Sequence, residues 1–167
     1  MQLFDPFFYE KAHLLAVFLL SVFLSVFLSR ENADQLLRRN RHQYWVFIYA
    51  LFFTFIVGFR PVSPAFGDTV NYAQTYDNFS RIADKITSSK DSLFYSFMWL
   101  CSQYMSVNWF FFIIECLYIV PIIIGCYRLM QNNADIGLLF CFASFSFFSY
   151  GVNGLRNGVA LSFVFLL

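Results

Sequence analysis

Three charged residues stand where apolar runs begin or end, and their types suit work on an anion and a hydroxyl. Arg60 closes one apolar run, Asp68 follows it in Phe66-Gly67-Asp68-Thr69, and Arg156 opens the last run. An arginine at a helix N-terminus joins a fixed charge to free backbone N–H groups, and the two together attract anions. Its planar fork also grips two phosphate oxygens at once, which a lysine ammonium cannot copy. The second reading of both arginines is interfacial: side chains snorkelling from the apolar run to headgroups. Asp68 likewise has two readings, as a base or acceptor for a hydroxyl and as a helix N-cap. Glu115 lies about eight residues inside a long apolar run. A carboxylate at such depth must be paired, protonated or in a wet cavity. It is therefore either a site residue or the structural partner of an arginine such as Arg60 or Arg156.

Other chemistries lack support. No Walker loop, GxSxG, HExxH or GxGxxG occurs. The formal net charge of +1 comes without a basic stripe, so no nucleic-acid partner is expected. Cys101, Cys116, Cys126 and Cys141 have neither CxxC spacing nor histidine neighbours and read as packing residues. His13 and His42 fall at the edges of an apolar run and its neighbour, where an interfacial placement is expected. No metal-ligand set is evident, so no metal or other cofactor is expected.

The elements that must position these residues are membrane helices. Hydrophobic residues make up 59% of the chain and charged residues 13%, and phenylalanine alone contributes 25 of 167 positions. Soluble domains carry about 25% charged residues. Spans are expected at about 12–29, 44–59, 107–127 and 136–150, with a partial one at 158–167. All this predicts an all-α, polytopic transmembrane protein forming a single membrane domain, with the lipid bilayer as its first partner. Pro61 stops the second span and biases Arg60 toward extended backbone. The intervening segment 60–91 is polar, yet Tyr72, Tyr76 and Phe79 recur at helical spacing, which predicts short amphipathic helices there. A further amphipathic helix is expected at 92–105. The last run is too short to cross a bilayer, which predicts that the chain is an incomplete part of a longer one.

Orientation follows from arginine density. The segment Arg30–Gln43 holds four arginines in 14 residues, which favours the cytoplasmic side. The N-terminus and the 60–91 segment are then outside, together with Asn153 and Arg156.

Two stretches carry a resemblance. GFRPVSPAFGDTVNY (58–72) and GVNGLRNGVALSFVFL (151–166) resemble the EpsG family of bacterial exopolysaccharide membrane proteins, which are Wzy-like polysaccharide polymerases. Arg60, Gly67, Asp68 and Tyr72 match the family's Arg, Gly-Asp and Tyr. Asn153 and Arg156 match its Asn-x-x-Arg patch, with Asn157 where Gln is usual. Asp91-Ser92 stands where the family often has Glu-Pro or Glu-Gly. Family members are about twice as long, and the expectation is a match to the N-terminal half only. The resemblance implies a GT-C-like glycosyltransferase of the bacterial cytoplasmic membrane, acting on undecaprenyl-diphosphate-linked oligosaccharide outside the cytoplasm. It implies Asp68, Arg60 and Arg156 as catalytic residues, with Gly67, Tyr72 and Asn153 binding substrate. Glu115 joins the latter group by its depth. Other polysaccharide-assembly proteins are the further partners expected. The competing reading is a non-catalytic transporter or assembly subunit of a surface-polysaccharide export system, since broken helices with outward arginines also suit a lipid-phosphate carrier.

Overall fold

The computed structural model describes residues 6–29, 35–81 and 91–167, without the side chains of 6–7, 27–29, 35–43, 80, 132 and 145. The described residues are essentially all helical. The helices are α1 (Pro6–Ser29), α2 (Gln35–Gly58), α3 (Thr69–Arg81), α4 (Ser92–Tyr104), α5 (Val107–Met130), α6 (Ala134–Ala143), α7 (Phe145–Val152) and α8 (Leu155–Leu166). By length and apolar content, α1 over Phe8–Val26 and α5 over Val107–Met130 can each cross a membrane, and α6 with α7 makes a third crossing if the bent pair is one span. The side chains of Arg30, Arg38, Arg39, Arg41 and His42, which carry the orientation argument, lie outside the described residues.

α5 is the central helix. Just over half of its apolar window is buried (56%), against 17% for α1, which lies at the periphery. The close approaches use glycine. A Cβ on Gly58 would sit 2.9 Å from the Phe112 backbone, so α2 crosses α5 almost in contact there. Phe59 stacks on Phe112 at 4.8 Å beside that crossing. Ring contacts set the direction of the first pair. Phe23 meets Trp45 at one end, and Tyr9 meets Phe66 at the other, so α1 and α2 are antiparallel. α5 and α8 run parallel, with Ser162 Oγ donating to Leu117 O and Arg128 Nη1 to Leu166 O.

α3 and α4 cover the end of the bundle where α2 stops and α5 starts. Tyr72, Tyr76 and Phe79 of α3 are buried, against Met98 and Cys101 of α4 and Phe110 of α5. Polar tips close the joint: Tyr76 Oη donates to Met105 O at 2.9 Å, and Gln103 Nε2 to Phe79 O at 3.1 Å. The side of each helix thus packs inward while its polar ends are satisfied locally.

Three sequence expectations are revised. α2 begins at Gln35, nine residues before the start expected for the second span. Gln, Leu and Arg are good helix formers, and nothing in 35–43 breaks the helix before the apolar run. The stretch read as one span over 136–150 is two helices bent by 74° near Ser144, whose backbone is extended. His13 is not interfacial but buried, 6% exposed, because α1 starts at Pro6 and carries His13 two turns inside.

The last two revisions have one cause. A break in a helix frees backbone carbonyls, which in an apolar environment must find donors. Phe142 O, released at the bend, accepts from His13 Nε2 at 2.9 Å. A carbonyl only accepts, so Nε2 carries the proton and Nδ1 accepts from Tyr49 Oη at 2.6 Å. Phe147 O, on the other side of the bend, accepts from Tyr118 Oη at 3.1 Å. His13→Phe therefore leaves Phe142 O and Tyr49 Oη unpaired, and should lower stability in detergent by about 2 kcal/mol. Tyr49→Phe, which removes the outer member of the chain and leaves Phe142 O paired, should cost less. Melting curves of the two purified variants check this. Equal melting points for both variants and wild type would mean that the bend does not depend on these partners.

Candidate functional site

The residues singled out by type and motif gather at the end of the bundle covered by α3 and α4. The structure sorts them into two layers.

The lower layer is built on Arg60. Its side chain is 1% exposed. Nη1 donates to Val57 O at 2.8 Å and Nη2 to Val152 O at 3.1 Å. Val57 lies in the last turn of α2, and Val152 ends α7. One guanidinium therefore caps the carbonyl ends of two helices, where a positive charge also opposes the negative pole of each helix dipole. Nε reaches Thr69 Oγ1 at 3.5 Å, and Thr69 in turn donates to Phe66 O at 2.9 Å, which ties the start of α3 to the same group. The Phe111 ring lies 4.9 Å from the guanidinium carbon. Burial pushes the Arg60 pKa down to about 10, an effect opposed by the charge of Glu115, so the group stays cationic at neutral pH.

Glu115 lies in this layer, fully buried. Neither carboxylate oxygen has a hydrogen-bond partner among the described residues. Oε1 is packed against Gly151, where an added Cβ would come within 2.9 Å of it. The attraction to Arg60 acts across space rather than through a direct bond.

The upper layer faces outward. Arg156, in the first turn of α8, donates from Nε to Tyr72 Oη at 3.2 Å and from Nη1 to Asp91 Oδ2. Tyr95 lies under the guanidinium at 6.0 Å. The Arg156 side chain is 40% exposed and that of Asp91 49%. Among the described residues no acceptor meets Arg156 Nη2. Burial raises the Tyr72 pKa and the hydrogen bond with Arg156 pulls it back, while the charge of Asp68 adds to the rise. Asp68 is exposed just before α3, and its Oδ1 accepts from Asn71 Nδ2 at 3.3 Å.

Gly67 and Asn153 join the two halves of this surface. Gly67 has φ +56°, and an added Cβ would collide with the Asn153 carboxamide. The position thus needs glycine twice over, for its backbone angle and for the contact. Gly154 precedes α8 without a side-chain cap bond, and the first N–H in the helical ladder there is that of Gly158. Among the described residues no acceptor meets the first-turn amides beside Arg156, which can therefore face an anion.

Asp68, Tyr72, Asn153, Gly67 and Arg156 therefore share one surface, and Arg60 and Glu115 lie beneath it. Asp91 is the member that reasoning from residue type missed. Its one signal was its place where the resembling family carries a glutamate. Thr69 left no signal, because its role depends on Arg60 folding back over nine residues. The surface offers one partly free guanidinium and uncapped amides for an anion, and two exposed carboxylates, Asp68 and Asp91, of a type that can take up or orient a hydroxyl proton.

The lower layer makes a measurable claim. Arg60→Met should leave Val152 O without its donor, reduce Val57 O to its backbone donor and remove the cation that acts on the buried Glu115 carboxyl, at a cost of about 3 kcal/mol or more. Adding Glu115→Gln should recover part of that loss. Additive losses in a double-mutant cycle on the purified protein would show that the two residues do not sense each other.

No curated protein and no solved structure matches the chain. One family does: the EpsG family matches residues 43–167. The expectation of a match confined to the N-terminal half is corrected by this extent. The match takes in every site residue named above and runs to the last residue given, leaving only the first 42 positions outside it. With three-quarters of its length matched, the chain belongs to the EpsG family.

Proposed function

We propose that this protein is a membrane glycosyltransferase of the Wzy-like polymerase type, joining undecaprenyl-diphosphate-linked repeat units in exopolysaccharide or O-antigen synthesis. In this reading it is a polytopic, GT-C-like protein of the bacterial cytoplasmic membrane, with the α3–α4 face outside. The observation that carries the reading is the upper layer: Arg156 with a partly free fork, set between Tyr72 and Asp91 beside the uncapped start of α8.

The reaction asks for two things. The hydroxyl of the acceptor unit attacks the anomeric carbon of the donor, a C–O bond forms, and the bond from that carbon to the diphosphate breaks. Negative charge grows on the leaving diphosphate, and Arg156 with the first-turn amides of α8 offsets it. Pre-set donors of this kind contribute a few kcal/mol each to a transition state. The acceptor proton passes to Asp68, which also orients the hydroxyl. Tyr72, Gly67 and Asn153 shape the floor on which the sugars rest. Arg60 acts from beneath as a positioning residue, through the carbonyl ends of α2 and α7, with the buried Glu115 carboxyl in the same layer.

Two substitutions separate chemistry from architecture. Asp68→Asn retains a good helix-start residue while removing the base. Arg156→Lys retains the charge while removing the fork. At matched membrane levels, each should cut polymer formation by roughly 100-fold or more, with single repeat units accumulating on the lipid at the outer face. Polymer of wild-type length in both variants would overturn the assignment. Single units trapped at the inner face would instead favour the transporter reading.

A further inference from the structure

Arg156 also stands at the head of a groove. Below it on α8 come Val159, Ala160 and Phe163, at three, four and seven residues, so all lie on the helix face that carries Arg156. The opposite wall is formed by Ile114 and Leu117 of α5, and Phe97 of α4 closes the side. The groove has a volume of about 740 Å³. Among the described residues that line it, the charged ones are at its mouth, where Arg156 and Asp91 meet, and the rest of its length is apolar. From Arg156 to Phe163 it descends about 10 Å along the helix axis.

We propose that this groove holds the first isoprene units of the lipid-linked donor, with the diphosphate at Arg156 and the hydrocarbon chain running down between α5 and α8. The inference rests on the reading of Arg156 as the diphosphate ligand and adds the path of the lipid. Three features fit an anion that carries a single hydrocarbon chain. The cation sits at one end only, which fixes the direction of the occupant. The walls belong to apolar stretches, so a hydrocarbon occupant loses no hydrogen bonds on entry. Ala160 is the smallest side chain on the α8 wall, which leaves room there for a chain to lie against the helix. Asp91, already on Nη1, leaves Nη2 to meet a phosphate oxygen.

The experiment uses the full-length protein in phosphatidylcholine nanodiscs and undecaprenyl diphosphate bearing a diazirine on an early isoprene unit. Photolabelling should map to α8 between Val159 and Phe163 and to α5 near Ile114 and Leu117. Ala160→Trp should reduce that labelling by roughly tenfold or more. Ala160→Leu, a milder filling, should reduce it less. Leu161→Trp, on the exposed face of α8, should leave it unchanged. Excess undecaprenyl diphosphate should compete, and phosphatidylglycerol should not. Labelling indifferent to Ala160→Trp and Ala160→Leu, or equal competition by phosphatidylglycerol, would overturn the groove. The outcomes separate this inference from the polymerase reading: normal polymer with no groove labelling overturns the groove alone, whereas groove labelling in a protein that makes no polymer supports the groove and counts against the polymerase.

Discussion

The fold turns on one arginine placed where two helices end. In an apolar surrounding a helix terminus is a liability, because its last carbonyls have no partner within the helix. Here α2 and α7 end against each other, and Arg60 answers both through Val57 O and Val152 O. A lysine would serve both acceptors less well, since its three N–H bonds diverge from one nitrogen, whereas the guanidinium presents separate nitrogens to separate acceptors. Once those two ends are joined, much of the outer face is set. Asn153 follows Val152 directly and comes to lie against Gly67. α8 then starts three residues after Val152, which brings Arg156 to Tyr72. The exposed arginine takes its position from the buried one.

The same constraint governs the bend between α6 and α7. The carbonyl of Phe142, freed at the bend, is met by His13 from α1, and Phe147 O just beyond it by Tyr118 from α5, so the stretch from Phe142 to Val152 is held by donors from α1, from α5 and from Arg60 after the end of α2. The segment is short of local reasons to take its path and rich in tertiary ones. Glu115 belongs to this pattern from the opposite direction. It is a fully buried carboxyl without hydrogen-bond partners among the described residues, packed beside Gly151, with the positive charge of Arg60 acting on it across space. A buried pair of this kind adds little net stability, but losing one partner is costly, which favours one arrangement of the helix ends over others.

What could be read from the chain alone follows from this. The apolar runs, the stop at Pro61 and the spacing of Tyr72, Tyr76 and Phe79 are local patterns, and local patterns give helices and their buried faces. The identities of Arg60, Asp68, Gly67, Tyr72, Asn153 and Arg156 were legible because short motifs mark them. Their division into two layers was not. Arg60 and Arg156 look alike in sequence, each an arginine at the edge of an apolar run, and only the pairing of Arg60 with a carbonyl 92 residues away makes one a strut. The bend at Ser144 lacks the glycine or proline that would announce it, since the neighbours are Ala143 and Phe145. His13 was misplaced for the same reason: its partner Phe142 is 129 residues distant.

The central claim is that the two arginines do different work, one holding the scaffold and one meeting the ligand. Measuring undecaprenyl diphosphate affinity and melting temperature together, for Arg60→Lys and Arg156→Lys in the same nanodiscs, tests it most directly. The account predicts that Arg156→Lys weakens binding roughly tenfold or more with little change in melting temperature, whereas Arg60→Lys lowers the melting temperature and leaves the affinity of the folded fraction near that of wild type. Loss of affinity without loss of stability in Arg60→Lys, with Arg156→Lys unaffected in binding, would contradict it.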